Sequence, residues 1–120
     1  TAMGKVQLSQ HTFEELIELY PDKSLRQKTQ YTVNTLNELW KQILTIQENG
    51  FIKEYQEAVE SFNCIAAPIF NHEKKIIGGV SITILSTNWE EKQHIAQSEI
   101  IDLARRISLK AGFITPVKSL

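Results

Sequence analysis

Residues 62–85, FNCIAAPIFNHEKKIIGGVSITIL, restrict the fold more tightly than any other part of the chain. Residues 64–70 and 76–85 are rich in aliphatic and β-branched side chains, and the polar run NHEKK separates them. That spacing predicts an antiparallel hairpin, although the loop lacks the glycine that the tightest turns prefer. A two-stranded hairpin is marginal in water by itself. Other segments must therefore cover its faces, extend its edges, or do both.

Helical segments flank it. In HTFEELIELY, Thr12 stands three residues before Glu15, a capping box that satisfies two free amides at a helix start. Phe13, Leu16, Ile17 and Tyr20 then share one face, and Pro21 ends the helix because it pushes its predecessor out of helical geometry. The segment TLNELWKQILTIQENG repeats the pattern with Thr35 and Glu38. Leu36, Leu39, Trp40, Ile43 and Ile46 form its stripe, and Gly50 suits the left-handed cap. After the hairpin, NWEEKQHIAQSEIIDLARRISLKAG reads as a long helix with a seam of Ile100, Ala104, Ile107 and Ala111, stopped at Gly112. A third short strand is predicted near residues 51–54. The fold class is therefore α+β with antiparallel pairing. Its thin sheet predicts a larger one, completed upstream or by another chain.

The chain has 120 residues, enough for one domain. Its net charge of -1 argues against a free-standing nucleic-acid binder, which normally shows a basic face. No apolar run approaches the roughly 18 residues of a membrane span, so no membrane partner is expected. Thr1 is not a natural start, and an upstream segment is expected. One cysteine forms no internal disulfide, which fits a reducing cytoplasm. The tail FITPVKSL is expected to fray.

Alternation divides the hairpin into two faces. Val80, Ile82 and Ile84 point one way with Ile65, Ala67 and Ile69, a large aliphatic face suited to packing helices. Gly79, Ser81, Thr83 and Leu85 point the other way with Cys64, Ala66, Pro68 and Phe70. This second face is built mostly of small groups. It is either ordinary surface or tight packing, or the lining of a cavity with hydroxyls directed inward. Gly78 and Gly79 mark close backbone packing or a bulge.

Cys64 as a nucleophile would need a base and an orienting group. None of His11, His72 and His94 sits in a nucleophile motif, and no His/Cys pair has the spacing of a structural metal site. An enzyme is not expected, nor a metal or cofactor. The alternatives carried are an enzyme using Cys64 and a ligand-free dimerisation module.

The segment NCIAAPIFNHEKKIIGGVSIT resembles the core of the effector-binding domain of IclR-type bacterial transcription regulators. TAMGK resembles that family's short Gly-Lys turn, IQENGF the end of its middle helix, and ARRIS its last helix. The likeness covers the whole chain in order. It implies a GAF-like twisted antiparallel sheet flanked by helices, incomplete at the N-terminus. Residues 1–120 would form the carboxy-terminal part of the effector domain, with a DNA-binding winged helix-turn-helix upstream.

The resemblance also favours the cavity. By position, its lining would include the turn amides at Ala2 and Met3, together with Glu54, Phe62, Cys64, Ser81 and Thr83. Glu54 stands where aspartate is frequent in the family, and Thr83 where serine is. The implied partners are a small organic acid effector, further copies in a dimer or tetramer, and operator DNA through the upstream domain alone. A ligand carboxylate can accept bonds from Ser81, Thr83, Cys64 and the amides. Glu54 would repel it unless a second ligand group donates to Glu54, so a small acid carrying a donor is expected.

Overall fold

The elements predicted from periodicity all form, and one more helix precedes them. The computed structural model describes residues 1–21, 25 and 27–113; the rest of the tail, for which fraying is predicted, lies outside the described residues. In chain order the elements are α1 (Ala2–Leu8), α2 (Phe13–Leu19), α3 (Leu36–Asn49), β1 (Ile52–Tyr55), β2 (Phe62–Phe70), β3 (Ile76–Leu85), a 3-10 turn (Ser86–Asn88) and α4 (Trp89–Lys110). The three strands form one antiparallel sheet in the order β1-β2-β3.

Both helix starts use threonine as predicted. Thr12 and Glu15 form the reciprocal capping box. At Thr35 only half of it forms: the hydroxyl accepts the Glu38 amide at 3.2 Å. Gly50 takes the left-handed cap at φ 79°. In the hairpin loop, Lys74 adopts φ 63° where glycine would be easiest. The Asn71 side chain holds that turn by accepting the amides of Glu73 and Lys75 at 2.9 and 3.0 Å.

The two sheet faces carry different helices. Ile65, Ala67 and Ile84 pack against Trp89, Ala96, Ile100 and Ala104 of α4. Ala66 and Ile52 pack on the other face against Ala2 and Val6 of α1 and Ile46 of α3. A third cluster joins α2 to α3 through Leu16, Leu36, Leu39 and Ile43.

Two local expectations are corrected. The seam of α4 continues from Ala104 to Ser108 rather than to Ile107 and Ala111, which are half-buried. A serine is stable there because its hydroxyl accepts the Phe70 amide of β2 at 3.0 Å. Ile82, assigned to the packed face, remains 38% exposed, because β3 is an edge strand of the described sheet and leaves that position open on one side. The Gly-Lys turn that resembles the family's opens a helix: Ala2 and Met3 form the first turn of α1, capped by Thr1.

The small residues of the second face have a packing role as well. A Cβ at Gly79 would lie 3.1 Å from Met3 Sδ and 3.2 Å from the Ala67 carbonyl, so glycine lets α1 approach the sheet closely. The register slips beside Gly78, where Ile69 pairs with Gly78 and Phe70 with Ile76. Close packing and an irregularity thus both occur at the glycine pair.

Candidate functional site

Register assembles the site. Glu54 pairs with Cys64 and Cys64 with Thr83, while Ile52 pairs with Ala66 and Ala66 with Ser81. Side chains at paired positions of adjacent strands share a face. Two cross-strand rows therefore lie side by side on the face that α1 covers in part. Ile52 and Ala66 disappear beneath α1, whereas Glu54, Cys64, Ser81 and Thr83 border a cavity of about 470 Å³.

All seven residues singled out from the sequence line this one cavity. Ala2 and Met3 contribute the first turn of α1, Phe62 the start of β2, and the remaining four the rows just described. The sequence reading missed Thr1, Ala58 and Val59, which complete the lining. Thr1 was detectable in principle as a helix cap: its hydroxyl accepts the Gly4 amide at 3.0 Å. Ala58 and Val59 lie in the irregular β1–β2 loop, where no periodicity marks them. Ser81, Thr83 and Phe62 are exposed, so the cavity opens beside edge strand β3.

The polar groups are few and distinct. Glu54 is 4% exposed; its Oε1 accepts the Ala58 amide at 3.2 Å, while its Oε2 is buried without a partner among the described residues. Among the described residues, no lysine, arginine or histidine lines the cavity. A buried carboxylate oxygen without a donor is costly, and such groups normally find one. The amides of Ala2 and Met3, at the start of α1, have no helical carbonyl to bond.

Burial pushes the Cys64 thiol above its ordinary value, partly offset by the neighbouring Thr83 and Ser81 hydroxyls. Cys64 is therefore a neutral thiol at neutral pH, a weak donor rather than a thiolate. Among the described residues, no group of three or more His, Cys, Asp or Glu side chains is placed to hold a metal ion.

Residues 1–109 match the family described as bacterial transcriptional regulator IclR C-terminal. The chain belongs to this family. Among IclR relatives, the HTH-type transcriptional repressor AllR of Salmonella typhi is 31% identical over 115 residues, spanning 95% of this chain and 42% of AllR. The solved C-terminal domain of the E. coli transcriptional regulator KdgR is 26% identical with a TM-score of 0.83, covering 94% of this chain and 70% of that one. The inducer binding domain of the Acinetobacter PobR transcription factor, a double mutant solved with 3-hydroxybenzoic acid, shares the fold at a TM-score of 0.78 and 20% identity. It covers 96% of this chain and 65% of its own. The chain spans about two-fifths of the length of the curated relatives it matches. Those relatives are named regulators and repressors, not enzymes, and the reading of Cys64 as a nucleophile is set aside. No helix among the described residues is long and apolar enough to cross a membrane.

Proposed function

We propose that this chain is the effector-binding part of a cytoplasmic, DNA-binding transcription regulator. A winged helix-turn-helix upstream contacts the operator, and the domain described here binds a small organic acid. The observation that carries this reading is the cavity itself. Its volume of about 470 Å³ lies within the range of small-molecule sites, and a few convergent polar groups interrupt apolar walls.

The polar groups define a ligand with two ends. Thr83, Ser81, Cys64 and the first-turn amides of α1 supply donors for a carboxylate. Glu54 supplies only acceptors. Glu54 and Thr83 lie two strands apart, about 10 Å between backbones. A small acid with a hydroxyl or N–H group away from its carboxylate bridges that gap. The PobR domain, of the same fold, holds an acid of this kind.

The test is calorimetric titration of the intact protein with small hydroxy, keto and amino acids and with 3-hydroxybenzoic acid. Ser81→Ala and Thr83→Val each remove one hydroxyl at nearly constant volume. Each is expected to weaken binding by roughly 1–3 kcal/mol, about 5- to 150-fold in Kd. Cys64→Ser should have the milder effect, since serine keeps a donor. Affinities untouched by both hydroxyl deletions would overturn this reading of the cavity.

Ligand binding alters the regulator only if the ligand prefers one arrangement of the assembled copies. Strand β3, ten residues long, lies at an edge of the described sheet. Such an edge promotes pairing unless it is covered. The protein is therefore expected to sediment as a dimer or tetramer, and a monomer at high micromolar concentration would remove this mode of coupling.

A further inference from the structure

Building on the effector reading of the cavity, we infer that the buried Lys5–Glu57 ion pair is a latch that holds the 56–61 loop over the cavity and sets its ligand affinity. The pair closes at 2.7 Å between residues far apart in the chain, and both side chains are almost fully buried. Lys5 belongs to α1, whose first turn forms one wall of the cavity. Glu57 belongs to the β1–β2 loop, whose next two residues, Ala58 and Val59, form another. The ion pair therefore fixes the distance between the two walls.

The loop has the anatomy of a lid. Gln56 at φ 56° and Ser61 at φ 73° bound it, both in the left-handed region that non-glycine residues occupy only when their surroundings hold them there. The Gln56 amide donates to the Phe62 carbonyl at 3.1 Å, and the Ser61 amide to Gln56 Oε1 at 2.9 Å, which closes the loop on itself. Thr29 donates to the Gln56 carbonyl at 2.7 Å, Thr32 donates to the Glu57 carbonyl, and the Val33 amide donates to Glu57 Oε1 at 3.2 Å. These three bonds tie the loop to the segment before α3. Lys5 ties it to α1.

The latch reaches the ligand's donor end as well. The amide of Ala58, adjacent to Glu57, donates to Glu54 Oε1 and orients the carboxylate whose other oxygen is unpaired. Lys5 and Glu57 are thus positioning residues. A buried ion pair adds little stability over an apolar pair of similar volume, because desolvation cancels much of the attraction. Here it supplies a defined separation instead.

The test uses the intact protein carrying Lys5→Met together with Glu57→Gln. Both charges leave at once, so neither is stranded, and glutamine keeps an acceptor for the Val33 amide. Without ligand, amide hydrogen exchange across 56–61 is expected to rise at least about tenfold, with the amides of Ile100 and Ala104 in α4 unchanged. Affinity for 3-hydroxybenzoic acid, used as the probe, should fall about tenfold. Lys5→Arg, which keeps the charge, should preserve both. Exchange that is unchanged at 56–61, or faster throughout the domain, overturns the latch. Faster loop exchange with unaltered affinity overturns its role in positioning. If the unmodified protein binds neither the probe nor any other acid, the effector reading fails, and the role of setting affinity falls with it; the ligand-free exchange then decides the latch alone.

Discussion

Replacing Glu54 by glutamine is expected to raise the stability of the ligand-free domain while weakening its hold on ligand. Glu54 Oε2 is buried and has no donor among the described residues. An unsatisfied buried polar group costs about 1–3 kcal/mol, and a charged one more. Glutamine keeps the acceptor that meets the Ala58 amide and exchanges the stranded carboxylate oxygen for a neutral NH₂ group. The NH₂ group is unpaired as well but carries no charge, so the ligand-free protein should gain only the difference, on the order of 1 kcal/mol. An acid that donates to Glu54 loses a charge-assisted bond of about 1.5–3 kcal/mol and meets a donor instead, a drop of about 10- to 150-fold in affinity. Acids without a second donor should lose nothing, since the NH₂ group repels no carboxylate. Thermal unfolding without ligand and titration with matched acids, with and without a hydroxyl, test both halves. Equal losses for both kinds of acid would show that Glu54 does not read the donor.

The partial legibility of this site in the sequence has a physical basis. Alternation along a strand assigns faces without further information, and so Cys64, Ser81 and Thr83 could be grouped before any coordinates. Alternation does not say why a face is small. Ala66 and Gly79 are small because α1 presses on them; Cys64, Ser81 and Thr83 border open space. The two causes leave the same pattern in the sequence. The resemblance to IclR regulators, rather than periodicity, distinguished them.

Helices announced themselves where a threonine cap preceded a long stripe, as in α2 and α3. Helix α1 did not. It has seven residues, two of its three buried residues are Ala2 and Val6, and the third is a lysine. A buried lysine contradicts the pattern from which helices are read. Its partner Glu57 lies in a loop without periodicity, and only the tertiary fold brings them together. Ser108 escaped for a related reason: a serine reads as surface until the Phe70 amide that it accepts is known.

Adjacent residues of β2 should respond oppositely to changes of size. Ile65 is fully buried between the sheet and α4, where it meets the cluster around Trp89 and Ile100. Truncation to alanine removes three carbons from a packed core that relaxes only in part, and is expected to cost about 2–5 kcal/mol. Ile65→Val, one methylene smaller, should cost about 0.5–1.5 kcal/mol. Ala66, one position on, is also fully buried, but under α1, among Ala2, Val6, Ile46 and Ile52. Truncation has little to remove there; enlargement is the harmful change. Ala66→Val forces α1 away from the sheet and is expected to cost about 1–3 kcal/mol. The consequences for the cavity separate the two faces further. Ile65→Ala lowers stability from the side that does not border the cavity, so the remaining folded protein should bind acid with unchanged affinity. Ala66→Val displaces Ala2 and Met3, which line the cavity, and should weaken acid binding in the folded protein. Urea unfolding of each variant, combined with titration well below its unfolding midpoint, gives both quantities. If Ile65→Ala weakened binding as much as Ala66→Val, the two faces of the sheet would not be separable, and the assignment of the cavity to the α1 face alone would be wrong.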